Sequence, residues 1–70
     1  MEEELATTKV QDYLRSLGYD DLSSLTSLSD DEDSNGYMIF RWSFIVGKVD
    51  YSVEFYTADN EIDFYDCLNA

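Results

Sequence analysis

Along the first part of the chain, apolar residues recur at spacings of three and four, which is the pattern of a single helix face. This pattern predicts a helix from Glu2 to Leu17. Glutamates in the first turn and Arg15 in the last turn suit the helix dipole, and Gly18 supplies a C-terminal stop. The residues expected on the buried face are Ala6, Val10, Tyr13, Leu14 and Leu17.

The pattern changes to that of β-strands in the second half of the chain. Residues 37–46 and 49–57 are rich in aromatic and β-branched side chains, and only Gly47-Lys48 separates them, which suits a type II′ hairpin turn. Folding the chain at this turn places the apolar pairs Val46–Val49, Phe44–Tyr51, Trp42–Val53, Phe40–Phe55 and Met38–Thr57 on one face. The opposite face then pairs Ile45 with Asp50, Ser43 with Ser52, Arg41 with Glu54, and Ile39 with Tyr56.

Residues 19–29 allow two interpretations. Leucine recurs there at every third position, which fits a short turn or helix followed by an extended stretch, and also fits an irregular strand. The segment Asp30 to Gly36 is predicted to be a loop, because its four consecutive carboxylates repel one another and Asn35-Gly36 is a strong turn dipeptide.

After a turn at residues 57–60, residues 61–68 alternate in character. A third strand is the favoured interpretation, with Ile62 and Phe64 on one side and Glu61, Asp63 and Tyr65 on the other. A terminal helix capped by Asp59 is the alternative. The fold predicted for residues 1–70 is therefore a single α+β domain, in which an N-terminal helix packs on a three-stranded antiparallel β-meander and covers its Trp42/Phe44/Phe55 face.

Charge adds a strong feature to this picture. The chain has 16 acidic and 4 basic residues, no His, and a net charge of −12 in 70 residues. Small domains stay soluble with a net charge of about 2–8, and any excess opposes compaction. We therefore expect the charge to present a negative surface to a basic protein partner. Direct binding to nucleic acid or to a membrane is not expected, since both require Lys and Arg.

The predicted sheet collects carboxylates on the face away from the helix. Alternate residues of a strand lie about 6.6 Å apart on one face, close to the spacing of neighbouring phosphates along a nucleic-acid strand. Outward tyrosines can stack on arginine and anchor an interface. The candidate partner-binding residues are Asp30, Asp31, Glu32, Asp33, Asp50, Glu54, Glu61, Asp63, Tyr37, Tyr56 and Tyr65. Candidates to extend this surface are Asp20, Asp21, Asp59 and Asp66.

Catalysis, cofactors and a dedicated metal site are not expected. Without His and with a single Cys, the usual general bases and nucleophilic pairs are missing. Residues 31–36 match the first half of an EF-hand calcium loop, but the twelfth position, which needs a bidentate Glu, is Trp42. We therefore predict a binding protein and not an enzyme.

Cellular location is suggested by two features of the sequence. Cys67 is the only cysteine, so no internal disulfide can form, which fits a reducing cytoplasm. The acidic start, Met-Glu-Glu-Glu, differs from the basic start of a secretory signal. A cytoplasmic location is the expectation, and a fold this small and acidic would gain stability from homodimerisation.

In size, acidity, compact α+β build and clustered carboxylates such as Asp30 to Asp33, the chain resembles the small acidic phage-encoded inhibitors that mimic nucleic acid. Anti-CRISPR proteins, restriction inhibitors and uracil-DNA glycosylase inhibitors are examples. The resemblance is one of type and covers no aligned motif. It implies an inhibitor that occupies the basic channel of a nucleic-acid-binding enzyme or effector complex, in the cytoplasm of a bacterial host.

Two alternatives to inhibition by mimicry remain open at this point. The first is an accessory, regulatory or immunity-type subunit that binds a basic protein partner through the exposed sheet face, with Ile39 and Ile45 carrying the interface. The second is a homo-oligomeric module formed by pairing of edge strands.

Overall fold

The computed structural model describes residues 3–66, which form one helix and one antiparallel sheet. Neighbouring strands in the sheet follow chain order, so the sheet is a meander. The α+β prediction is confirmed, but the prediction of three strands is wrong, because the sheet has four. The elements are α1 (Glu3–Ser16), β1 (Thr26–Glu32), β2 (Met38–Val46), β3 (Val49–Tyr56) and β4 (Glu61–Asp66).

Several predictions at the chain ends fall outside the described residues. They concern the start of the helix at Glu2, the end of the last strand at Leu68 and the environment of Cys67.

Strand β1 (Thr26–Glu32) extends further than the sequence pattern predicted. Asp30, Asp31 and Glu32 were expected in a loop, but they pair with Phe40, Ile39 and Met38 of β2. Consecutive side chains of a strand point to opposite faces, so the extended backbone separates carboxylates that would repel one another in a tight loop. All seven residues of β1 are exposed, and the strand carries an irregularity in register between Ser27 and Ser29.

The segment between α1 and β1 combines features of both earlier interpretations. A turn forms where the Leu25 N–H donates to the Leu22 carbonyl at 3.1 Å, and the extended stretch that follows is the irregular strand β1. Leu22 and Leu25 are half-buried against the core, whereas Leu28 is exposed at the irregularity. The leucine repeat therefore does not form one continuous face.

The β2–β3 hairpin has the predicted register throughout, from Val46 paired with Val49 to Ile39 paired with Tyr56. At the turn, Gly47 has a φ of 62° and Lys48 is not in the left-handed region. This combination fits the type II′ turn, which needs a positive φ at its first central position only. Beyond the ladder, the Thr57 N–H donates to the Met38 carbonyl at 3.0 Å.

Strand β4 confirms the strand interpretation of the C-terminal segment over the helix interpretation. It pairs with β3 so that Glu54 lies opposite Asp63 and Tyr56 lies opposite Glu61. The connecting turn ends at Asn60, whose φ of 57° is in the left-handed region. Asparagine tolerates this conformation better than most residues with a side chain.

Helix α1 packs on one face of the sheet through Ala6, Val10 and Leu14, all fully buried. It ends in a Schellman motif, in which the N–H of Tyr19 donates to the Leu14 carbonyl and that of Gly18 donates to the Arg15 carbonyl. The prediction that Leu17 lies on the buried face is wrong, because the helix stops before it and 49% of its surface is exposed. No helix within residues 3–66 is long and apolar enough to cross a membrane.

The core between α1 and the sheet is dominated by aromatic side chains. Tyr19 makes edge contacts with Phe44 and Phe64, at ring-centre distances of 5.4 and 5.9 Å. The buried core residues are Ala6, Val10, Leu14, Phe40, Trp42, Phe44, Val53 and Phe55. Since strand residues alternate, burying these sheet residues turns the other set towards solvent.

Stability should depend on the buried stripe of α1. Leu14→Ala removes a fully buried side chain, and we expect it to lower the free energy of unfolding by about 2–5 kcal/mol. Leu5→Ala, in the same helix but half exposed, should change it by no more than about 0.5 kcal/mol. Urea unfolding followed by circular dichroism measures both. Equal effects of the two substitutions would contradict this packing of the helix.

Candidate functional site

The face of the sheet opposite α1, called the outer face below, carries most of the predicted binding residues. Its membership follows from strand alternation, since these residues pair with one another and alternate with the buried set. No helix of the described residues lies over it. The outer face consists of Thr26, Ser29 and Asp31 on β1, Ile39, Arg41, Ser43 and Ile45 on β2, Asp50, Ser52, Glu54 and Tyr56 on β3, and Glu61, Asp63 and Tyr65 on β4.

The carboxylates predicted on the second and third strands of the meander, which are β3 and β4 of the structure, share this face. Glu54 lies opposite Asp63 across the β3–β4 ladder, and Glu61 lies opposite Tyr56. Asp50 lies further along β3, opposite Ile45 and beside the hairpin turn. Tyr65, 42% exposed, pairs with Ser52. The sequence pattern therefore placed these side chains on one surface correctly.

The acidic segment Asp30 to Asp33 does not extend the outer face as a block. Only Asp31 belongs to it, because the partners of Asp30 and Glu32 are the core-facing Phe40 and Met38. Asp33 lies in the loop after β1, where its Oδ1 accepts hydrogen bonds from the backbone N–H groups of Asn35 and Tyr37 at 2.8 and 3.0 Å. Tyr37 itself is half exposed in this loop.

Arg41 is the central cation of the outer face. Its Nε donates to Glu54 Oε2 at 2.8 Å, as the predicted cross-strand pair required, and its guanidinium also pairs with Asp31 of β1. The second oxygen of Glu54 accepts a hydrogen bond from the Tyr56 hydroxyl at 3.0 Å. The link to Asp31 was not predicted, because it depends on β1 being a strand beside β2.

Because of this network, some carboxylates of the outer face are paired with a cation and others are not. Both oxygens of Glu54 are engaged, and only 13% of its side-chain surface is exposed. Burial, together with the neighbouring Glu54 carboxylate, raises the pKa of Tyr56 to about 12, so this phenol stays a neutral donor. Asp31 and Glu54 thus stabilise the sheet around Arg41, whereas Asp50, Glu61 and Asp63 keep charges that no basic residue within residues 3–66 pairs with.

Negative charge is concentrated at the start of β4. Asp59 Oδ1 accepts a hydrogen bond from the Glu61 N–H at 3.2 Å, so the turn holds these two residues together. A hydrogen bond with the Asp59 carboxyl and repulsion from Asp59 and Asp63 raise the pKa of Glu61 above its usual 4.5. Asp59 therefore belongs with the outer-face acids, through a turn contact that strand alternation does not reveal.

The end of the outer face near the hairpin turn is more apolar. Ile45 is 50% exposed there, and Tyr65 lies on β4 at the same end of the sheet. Ser43 Oγ donates to Asp50 Oδ1 at 3.2 Å, which orients the carboxylate and leaves its charge in place. Carboxylates and apolar side chains therefore lie next to each other on a surface that the helix does not cover.

The residues of the partial EF-hand match lie apart in the folded chain. Asp31 pairs with Arg41, Asp33 closes the loop after β1, and Trp42, at the twelfth position, is buried in the core. Among the residues described, no cluster of three or more His, Cys, Asp or Glu side chains has an arrangement suited to a metal ion.

Comparison with known proteins identifies no relative: no protein family, curated protein sequence or solved structure matches this chain. The function of the outer face is therefore inferred from its own side chains.

We expect the Arg41 network to be important for stability. Arg41→Met leaves the largely buried Glu54 carboxylate with Tyr56 as its remaining partner in the network, which should lower the free energy of unfolding by about 1–3 kcal/mol. Lys48→Met is the matched control, since it removes one positive charge from an exposed turn residue. Chemical unfolding measures both variants. If Lys48→Met destabilised the chain as much, loss of general charge balance and not the network would be the cause.

The raised pKa of Glu61 predicts that the stability of the fold depends on pH. Because its pKa is higher in the folded than in the unfolded chain, protonation favours folding, and this contribution is lost as pH rises through the folded-state pKa. Glu61→Gln should therefore raise the melting temperature at neutral pH, and its advantage should shrink as the pH falls towards the acidic range. Glu32→Gln, an exposed strand residue, controls for the change in net charge. Equal stabilisation by both substitutions at neutral pH would contradict the prediction.

Proposed function

We propose that this chain is an acidic binding protein that inhibits a nucleic-acid-binding enzyme or effector complex by occupying its basic channel. The observation that supports the proposal best is the set of uncompensated carboxylates, Asp50, Glu61 and Asp63, on the outer face of a paired sheet. A basic channel that binds phosphates presents Lys and Arg side chains, for which such a surface is complementary.

Two different properties of the surface contribute to binding under this proposal. The net charge of −12 steers the encounter with a basic channel and raises the association rate. Ile45 and Tyr65, both exposed, supply apolar area that is buried once the surfaces meet. Affinity then falls as salt rises, because exposed charge pairs are screened.

The Arg41 network reduces the number of residues that we propose to contact the partner directly. Asp31 and Glu54 hold the sheet together through Arg41, so their role in binding is indirect. The direct contacts are assigned to Asp50, Glu61, Asp63 and Tyr65. The proposal involves no catalytic step, and its setting is the cytoplasm of a bacterial host.

Competition tests this function. The chain is immobilised and exposed to bacterial lysate, and retained proteins are eluted with duplex DNA or structured RNA. The expected result is that a retained protein itself binds nucleic acid and is released by it. The variant Asp50→Asn/Glu61→Gln/Asp63→Asn should lose this protein. A control with the same net charge, Glu3→Gln/Glu4→Gln/Asp12→Asn, changes exposed positions of α1 and should retain it.

Two results would contradict the proposal. One is a retained protein that binds this chain and nucleic acid at the same time. The other is equal loss of binding in the outer-face variant and in the helix control, which would mean that net charge alone attracts the partner.

The exposed Ile45 favours a second function, an accessory or immunity-type subunit that binds a basic protein through apolar contact. Ile45 is half exposed on the outer face between the polar residues Ser43 and Asp50, whereas the other expected contact, Ile39, is only partly exposed. Ile45→Ser separates the two functions. Loss of binding from this substitution, with little dependence on salt and no displacement by nucleic acid, supports the accessory subunit.

A further inference from the structure

A pocket of about 300 Å³ lies at the end of the molecule where α1 stops and the β2–β3 hairpin turns. Residues 18–21 line one side of it, and residues 45–47 line the other. Of the residues that the proposed function uses, only Ile45 borders this pocket. Its volume is at the lower end of the range for small-ligand sites and is sufficient for one side chain.

Both sides of the pocket are held in place by contacts with other parts of the chain. On the first side, the Schellman motif at Gly18 orients the chain, and the half-buried Tyr19 ring contacts Phe44 and Phe64. On the second side, Ser24 Oγ donates to the Ile45 carbonyl at 2.7 Å and accepts from the Ile45 N–H at 3.0 Å. The pocket therefore exists before any partner binds, which reduces the entropic cost of binding.

Part of the lining is apolar and unburied. Val46 is 37% exposed, although it is an aliphatic strand residue, and alternation places its side chain on the α1 side of the sheet, whereas Ile45 borders the pocket from the outer face. Tyr19 also lines the pocket, and a tyrosine ring can stack on a planar cation. Such a lining suits the aliphatic stem of a long side chain better than it suits a small hydrated ion.

The electrostatic character of the pocket is negative. Asp20 and Asp21 contribute two carboxylates, and the C-terminal end of α1, which carries the negative pole of the helix dipole, ends at the pocket. Hydrogen bonds from Ser23, including its N–H at 3.0 Å from Asp21 Oδ1, lower the pKa of Asp21 and keep it ionised.

In residues 3–66, the basic residues nearest in sequence to this pocket form no ion pair with Asp20 or Asp21. Arg15, in the last turn of α1, lies 3.7 Å from Asp12. Lys48, beside Gly47 in the hairpin turn, takes part in no ion pair within residues 3–66 and is exposed. The two carboxylates of the pocket are therefore open to a cation from outside.

We propose that this pocket receives a single arginine side chain of a protein partner. Its planar guanidinium would meet the carboxylates of Asp20 and Asp21 and stack on Tyr19, while its stem would pack on Val46. Lysine lacks the planar fork and the stacking surface, so it should bind more weakly. This inference goes beyond the proposed function, because it holds for any arginine-bearing partner, whichever surface provides the rest of the interface.

The test is an NMR titration of the full chain with the blocked tripeptide acetyl-Gly-Arg-Gly-amide. We expect saturable shifts of the backbone amides of residues 18–21 and 45–47. The same peptide with citrulline, which has nearly the same shape and no charge, should bind about tenfold more weakly or worse, since it loses charge-assisted hydrogen bonds.

Matched variants locate the site within this acidic chain. Asp20→Asn/Asp21→Asn removes two charges from the pocket, retains an oxygen that can accept from Ser23, and should weaken the arginine peptide about tenfold or more. Asp30→Asn/Glu32→Gln removes two charges from β1 and should leave affinity within about twofold, the level expected of a remote surface change. Unchanged amide dispersion in both variants shows that each is folded.

Three results would overturn the assignment. Shifts centred on the outer face would place arginine elsewhere. Equal weakening in both double variants would reduce the effect to general charge attraction. The same tripeptide with lysine in place of arginine is a third probe. Equal affinity for the lysine and arginine peptides would show that the pocket does not recognise a guanidinium.

Discussion

The structure depends on burying the apolar face of the β2–β3 hairpin against α1. Trp42, Phe44 and Phe55 can reach the helix only in one register, since a shift by one residue would turn them to solvent. That constraint also decides which acids face outward. The arrangement of Asp50, Glu61 and Asp63 is therefore a consequence of core packing and needs no separate device to hold it.

A single cation makes the acidic sheet compatible with folding. Arg41 connects three strands, because it lies on β2 and contacts carboxylates of β1 and β3. Placed centrally, it compensates the acids that the sheet crowds together and leaves those nearer to β4 uncompensated. The carboxylates that stabilise the sheet through Arg41 are therefore different from those proposed to contact a partner.

Much of the fold could be predicted from the sequence where one face of an element is apolar. The hairpin register followed from the alternation around Trp42, and α1 followed from the stripe at Ala6, Val10 and Leu14. The acidic end of β1, residues 30–32, could not be predicted in this way, because its side chains are polar and it is held by backbone pairing and a distant arginine. The same limit applies to the candidate sites: alternation located Asp50 and Asp63, whereas the pocket beside Tyr19 arises from segments far apart in the chain.

Strands β1 and β4 form the two edges of the sheet, and both carry rows of acids on otherwise polar or alternating sequences. Two copies that approached edge to edge would bring like charges together, which works against fibril-like stacking at neutral pH. Acidification removes that protection at the same time as it relieves the repulsion around Glu61. Storage at low pH and high concentration would thus favour slow association of copies through their edge strands.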